Sequence, residues 1–442
     1  MLKTYDLILK NADVYLPGGL ARVDVAIHKG KIAALGALDQ AQGGQVRDLG
    51  GLTILPGFID SQVHFREPGM EHKETLETGA TAAVCGGITS VFEMPNTNPT
   101  TTSEAALADK LARAKGRMAC DHAFFVGACP DNIDHIADLE DLPGSAGIKV
   151  FMGSSTGSLL VETEELLEMV LRRGHRRASF HSEDEDILRA QYAALAPGTH
   201  VREHPHVRRV EAAVTSTTRL LRLAEKTRRL VHILHISTAQ ELPLLAANRS
   251  WATCEVTPNH LHLCAPDCYD QLGTQAQMNP PVRDQYHRDA LWGALRSGLI
   301  DVMGSDHAPH SLEEKAKPFP AAPSGMPGVQ TTVPLMLNAV AQGRLSLTRL
   351  VDLMASGPQR IFAIQNKGRL APGYDADLTI VDLKRQEVIA SPWLKSRAGW
   401  SPYEGQRVTG WPVMTYVRGV LAAQEGELVS PPQGEPVKFL GT

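Results

Sequence analysis

The stretch Ile59–Gly69, IDSQVHFREPG, ends an apolar run with Asp60, sets Gln62 and His64 two residues apart, and follows them with Arg66. In an extended chain, side chains at i and i+2 point the same way, so Gln62 and His64 face one space. Two imidazoles at that spacing would make an obvious metal pair, but here one of them is an amide. Other metal-capable groups also close apolar runs. Lys149 lies in GIKVFMG, His181 ends ASFH, His235 ends VHILH, and Asp306, His307 and His310 end VMGSDHAPH. Asn96 follows VFEMP. A lone strand histidine is more often a hydrogen-bonded core residue, and Asp306 alone could cap a helix. Five strand ends that each present such a group call for one explanation. Imidazole nitrogen with carboxylate oxygen is a donor set that zinc favours.

Lys149 stands apart. Its neighbours Ile148, Val150, Phe151 and Met152 make a buried strand, where a bare ammonium is costly and would repel a metal. Either it pairs with a nearby carboxylate, or capture of carbon dioxide turns the amine into an anionic carbamate able to bridge two metals.

Positioning groups from so many strand ends takes a particular architecture. The first fifty residues read as short alternating strands with Gly-Gly and Lys-Gly turns, and the end of the chain reads alike: GRLAPGYDADLTIVDL, then a hairpin in VMTYVRGVLAAQEGELV. Between them, Glu74–Cys85, Ser103–Lys115, Glu162–Arg173, Val207–Lys226, Ala239–Ala247, Arg288–Arg296 and Val333–Gln342 have helical length and periodicity. They alternate with short apolar runs. About eight such units predict an α/β fold, a (β/α)8 barrel over residues 56–365. Residues 1–55 and 366–442 must then pair as a small β-sandwich. The Pro- and Gly-rich tail Ser430–Thr442 is expected to be loosely held. Chemistry in such a barrel gathers at the C-terminal ends of its strands, where these polar residues fall.

Composition narrows the field. The chain has 442 residues, 43% hydrophobic and 21% charged, with a formal net charge of -5, a globular balance that gives no reason to expect a nucleic-acid partner. No apolar run is long enough to span a bilayer, and MLKTYDLILK lacks a signal peptide's apolar region. Six cysteines without a CxxC pair read as reduced thiols, so the expected compartment is the cytoplasm. In HSEDEDILRA, Ser182 is read as a helix cap, with Glu183, Asp184, Glu185 and Asp186 favouring the helix's positive end. GTHVREHPHVRR is read as a solvated loop. FMGSSTGS lacks the Gly-Lys-Ser/Thr ending of a phosphate loop. AKPFPAAPSGMPGVQ is expected near the mouth of the site.

Taken together, the motifs resemble the cyclic-amide branch of the amidohydrolase superfamily, and within it the dihydroorotases, over nearly the whole chain. The likeness lies in LPGFID, EMPNTNP, GIKVFM, HIST, MNPPVR, SDHAPH, the GRLAPGYDADLTIVDL return and GWSPYEG. The family's Asp-x-His-x-His-x-Arg reads here Asp60, Ser61, Gln62, Val63, His64, Phe65, Arg66, with the first histidine replaced. TPNH at Thr257–His260 matches a recurring family segment without an assigned role.

The resemblance implies zinc, one or two ions, bridged by carboxylated Lys149. His64, Lys149 and Asp306 would hold one ion, and Lys149, His181 and His235 the other. It implies Asp306 as proton carrier, and Arg66, Asn96, Asn279 and His310 as binders of the substrate's carboxylate and ring. The reaction implied is the reversible, metal-dependent hydrolysis of (S)-dihydroorotate to N-carbamoyl-L-aspartate in pyrimidine biosynthesis, by a homo-oligomer, a dimer. Arg66 favours a ring bearing an acid group over the neutral rings of hydantoinases and dihydropyrimidinases, because guanidinium pairs bidentately with carboxylate. GSSTG also lacks the tyrosine usual there in those enzymes, and allantoinase lacks the arginine. Gln62 leaves two classes in view. One is an active enzyme in which Gln62 or a water fills the missing position. The other is an inactive homologue serving as partner of a carbamoyltransferase. Retention of His64, Lys149, His181, His235 and Asp306 favours the first.

Overall fold

The computed structural model describes residues 4–38, 43–154 and 159–441. Residues 155–158, which include most of the GSSTG stretch, lie outside the described residues. Eight parallel strands pair in chain order: Phe58–Val63, Ile88–Glu93, Asp121–Gly127, Ser145–Phe151, Ala178–His181, Val231–Ile233, Ala252–Val256 and Val302–Met303. A parallel bridge between Val63 and His307 brings the last unit back to the first, so the sheet closes as a (β/α)8 barrel. The strands are buried along their lengths, which is why they read as apolar runs rather than as alternation.

The expected helices form with their ends moved by a few residues. Leu76–Cys85 starts at Thr75, and Glu104–Ala114 at Ser103, each cap accepting a backbone N–H of the first turn. Helix Val210–Thr227 ends at Arg228, which adopts a left-handed conformation.

Two further sheets come from the chain ends. Thr53–Pro56 pairs antiparallel with Leu378–Val388, Leu378 opposite Pro56 and Ile380 opposite Ile54, inside a seven-stranded sheet. A four-stranded sheet joins Lys31–Gly36, Asp24–His28, Tyr5–Lys10 and Gly43–Asp48. The run YDLILKNADVYL divides between the two sheets at Asn11, whose φ of 62° suits a residue that tolerates the left-handed region. Leu9, Val14, Val25, Ile54, Leu378, Ile380 and Trp411 share the core of this unit.

The tail overturns the expectation of loose attachment. It docks under the barrel: His122 N donates to Glu435 O (3.1 Å) and Val437 N to His122 O (2.8 Å). Val437 and Phe439 are buried with Phe92, Phe125 and Phe362 in one apolar cluster. The tail's prolines and glycines fit a close approach: a Cβ at Gly434 would lie 1.9 Å from Cys120 O.

GTHVREHPHVRR is also not a solvated loop. It forms two short helical turns, Val201–Glu203 and His204–Val207, with His204 and Arg208 fully buried. His204 Nε2 faces Met278 O at 2.8 Å, so its ring hydrogen-bonds within the protein instead of with water. Among the described residues, no helix is long and apolar enough to cross a membrane.

Candidate active site

At the C-terminal ends of the strands, Gln62, His64, Lys149, His181, His235, Asn279 and Asp306 line one cavity, with Phe151, Ala308, Ser324 and Gly325. Ser324 and Gly325 belong to the Pro-rich loop expected at the mouth. Three of the site residues have left-handed backbone, Arg66 (φ 65°), His235 (φ 37°) and Asp306 (φ 48°). Each lies just past a barrel strand, and such strain persists where surrounding structure over-determines it.

The first group of side chains centres on Asp306. His64 Nε2 lies 3.2 Å from Asp306 Oδ1, and the Gln62 side-chain amide donates to the same oxygen at 3.1 Å. Asn96 Oδ1 can only accept, so at 2.7 Å it takes the proton of His64 Nδ1 and leaves a lone pair on Nε2. That lone pair then faces a carboxylate oxygen, an arrangement that asks for a cation between them. Gln62 Oε1 is buried and has no hydrogen-bond partner among the described residues.

The second group is His181 and His235, whose Nδ1 and Nε2 lie 3.1 Å apart. His181 Nε2 donates to Glu183 Oε2 at 2.8 Å, which fixes the tautomer and turns the Nδ1 lone pair inward. Burial alone would raise the Glu183 carboxyl, but Arg208 and His181 hold it well below the usual range. His235 Nδ1 is buried without a partner among the described residues. Burial lowers the pKa of His64, His181 and His235, so all three present neutral rings.

Between the two groups sits Lys149, buried, its ammonium 4.6 Å from the centroid of the Phe151 ring. Burial brings its pKa down to about 7, against the opposing charges of Asp306 and Glu255. Neutral imidazoles, a carboxylate, inward lone pairs and unpartnered acceptors make a donor set that fits a divalent cation.

Of the remaining expected residues, Asn96 stands behind His64, while Arg66 and His310 stand behind the rim. Arg66 Nε donates to Pro309 O at 3.1 Å, and its Nη2 lies 3.2 Å from His310 Nε2. Burial lowers Arg66 to about 10, which still leaves it charged at neutral pH.

Two further residues were not legible. Glu183 is not a helix charge. Asp184 caps helix Glu185–Ala193, and the Ser182 hydroxyl turns to Ser216 and Thr217 instead of capping. The available signal was an acid two residues beyond a strand-end histidine. Arg208, 25 positions further on, left no local trace. Below the cavity, Asp60 accepts from Ser305 N (3.0 Å), and burial pushes its carboxyl up to about 7.

At the opposite end of the barrel, Asp121, Asp375 and Asp377 form a second acidic group close enough to hold a metal. Lys367 lies among all three, 2.7 Å from Asp377 and 3.0 Å from Asp375, and its ammonium takes the place an ion would need.

Comparison with known proteins bears on the family and the fold. Residues 53–422 match the amidohydrolase family. The chain belongs to the amidohydrolase family. It is 35% identical to the dihydroorotase of Methanosarcina mazei, over 98% of this chain and 97% of that one. It is 36% identical to the dihydroorotase of Brevibacillus brevis, over 95% and 99%. Among solved structures, the L-hydantoinase (dihydropyrimidinase) of Arthrobacter aurescens superposes with a TM-score of 0.91 at 31% identity, covering 97% of this amidohydrolase and 98% of that chain. The dihydropyrimidinase of Brevibacillus agri gives 0.89 at 26% identity, covering 96% of each.

Proposed function

We propose that the protein is a dihydroorotase that opens the cyclic amide of (S)-dihydroorotate to N-carbamoyl-L-aspartate, and closes it in reverse, in the pyrimidine pathway. The observation that carries this reading is the buried guanidinium of Arg66 with His310 behind the rim of the cavity. A permanent buried cation that donates to a backbone carbonyl and lies beside a neutral ring suits a substrate bearing a carboxylate. The full-length relatives named dihydroorotase support the same choice.

His64, Lys149 and Asp306 would hold one zinc ion, and Lys149 as a carbamate, with His181 and His235, another. Bound there, zinc supplies a Lewis acid toward the amide carbonyl and lowers the pKa of water. Asp306 takes the proton released by the attacking water and returns it to the ring nitrogen as the C–N bond breaks. Gln62 holds the carboxylate of Asp306 through its amide N–H during both transfers. Glu183 keeps the His181 ring in one tautomer. Arg66, Asn96, Asn279 and His310 seat the substrate's carboxylate and ring. Carboxylation of Lys149 would remove the cost of a buried ammonium, and a pKa near 7 leaves the free amine available to react.

The test is an assay of zinc-reconstituted protein with dihydroorotate, and with hydantoin and dihydrouracil as neutral rings. Turnover confined to dihydroorotate is expected. Faster opening of a neutral ring would move the protein to the hydantoinase class. No turnover of any ring at full metal occupancy would leave the non-catalytic partner.

A further inference from the structure

His310 has a cation beside each ring nitrogen, Arg66 at Nε2 and Lys73 at Nδ1. Lys73 Nζ lies 3.1 Å from His310 Nδ1 and 3.0 Å from Glu314 Oε1. Glu314 is held by the capping box of helix Leu312–Lys315, its Oε2 accepting from Ser311 N at 3.2 Å. The His310 main chain is pinned too, its carbonyl accepting from Trp400 Nε1 at 2.8 Å.

An ammonium can only donate, so the Nδ1 beside it must carry the lone pair. The ring proton then sits on Nε2, where Ser324 O (3.0 Å) on the cavity wall can accept it, so Arg66 Nη2, which also only donates, lies 3.2 Å from Nε2 without a hydrogen bond to it. A Cβ on Gly325, also on that wall, would meet the His310 ring at 3.1 Å, so the ring edge borders the cavity.

We infer that Lys73 is the positioning residue that makes His310 an Nε2–H donor, so that His310 and Arg66 together present hydrogen bonds to the substrate's carboxylate. The inference rests on the dihydroorotase reading above. Loss of Lys73 leaves the ring to Glu314, whose Oε2 stands 3.7 Å from His310 Nδ1. Without the ammonium, that carboxylate draws the ring proton to Nδ1. Nε2 then turns a lone pair toward the incoming acid. Two acceptors face each other, and the site loses affinity for the anion while the reacting end is untouched.

The test compares the wild type with Lys73→Met and Lys73→Arg, all zinc-loaded, with metal content and melting temperature measured on each sample. Histidine-selective ¹⁵N labelling, with His310→Gln for assignment, reads the tautomer. The wild type should carry the His310 proton on Nε2, and Lys73→Met should move it to Nδ1. The KM for dihydroorotate should rise roughly 10- to 100-fold, as for loss of a charge-assisted hydrogen bond, with kcat changing far less. Lys73→Arg should restore most of both readouts. An unchanged tautomer in Lys73→Met, or a loss that falls on kcat, overturns the inference. If the wild type does not open dihydroorotate, the proposed function fails, and the tautomer alone then decides whether Lys73 sets His310.

Discussion

Gln62 stands where the family's motif carries a histidine, and its contacts indicate what the exchange does. Its amide N–H donates to Asp306, and its oxygen lies buried without a partner among the described residues. An amide oxygen is a weaker donor to zinc than imidazole, so the ion between His64 and Asp306 should be the looser of two. Calorimetric titration of the metal-free protein should show one tight site and one weak site. Gln62→His should tighten the weak one by on the order of tenfold, provided a neighbour can hold the new ring's second nitrogen. Two equally tight sites in the wild type would show that glutamine costs nothing. Arg66→Ala should keep its metal and lose about 2–5 kcal/mol of transition-state binding in kcat/KM for dihydroorotate. An unchanged kcat/KM would remove the reason to prefer a carboxylated ring. Residue types were readable at this scale because every metal-capable group closes an apolar run. Their partners were not, since a hydrogen bond such as Gln62 to Asp306 spans 244 positions and has no local pattern.

At the scale of elements, the strand that ends at His181 and the segment before helix Val210–Thr227 are joined by Glu183 and Arg208. Both side chains are buried, and the carboxylate also accepts from His181. Glu183→Gln should therefore have two effects. Metal affinity should fall roughly 10- to 100-fold as His181 loses its orienting partner. Stability should fall by about 3–5 kcal/mol because Arg208 is left buried without a counter-charge. The double change Glu183→Gln with Arg208→Met should recover much of the stability but not the metal affinity. If both recover together, the pair acts only through the fold. The pH dependence has a definite sign. The folded pKa of Glu183 lies below its ordinary 4.5, so the pair contributes fully above that value and is lost as the pH falls toward the folded pKa. Acid should loosen this corner of the site, and Glu183→Gln should flatten that acid limb. The helices were legible because an amphipathic period and a capping residue are local signals. The acidic run at Glu183–Asp186 misled because the same residues satisfy a helix N-terminus and a buried ion pair equally well in sequence.

Across the whole molecule, the two ends of the barrel do different work. The strand ends carry the cavity, while the floor is sealed by the tail and tied to the sandwich by charge. Arg418, at the turn between strands Arg407–Val417 and Val420–Gln424, pairs with Asp121 at the start of a barrel strand, and Asp121 also accepts from Glu435 N at 2.8 Å. Lys367 links Asp121 to Asp375 and Asp377. The tail's apolar anchors are Val437 and Phe439, and Phe439 packs edge-on against Phe92 at 5.6 Å. Composition hid this, because the prolines and glycines that mark a loose end also permit the close approach of Gly434 to Cys120. Phe439→Ala should remove a buried ring worth about 3–5 kcal/mol in a packed core. The loss is limited by the docking energy of the tail, since a tail without its anchor can leave the floor while the barrel stays folded. The expected result is a lower thermal midpoint, together with faster proteolysis and amide exchange confined to Gly434–Phe439 and the strand at His122. Turnover at saturating substrate should hold at temperatures where the barrel is intact, because the cavity lies at the other end of the strands. An unchanged midpoint and unchanged protection would show that the docked tail contributes nothing to stability. A fall in turnover with the barrel folded would show instead that the floor and the cavity are coupled through the strands between them.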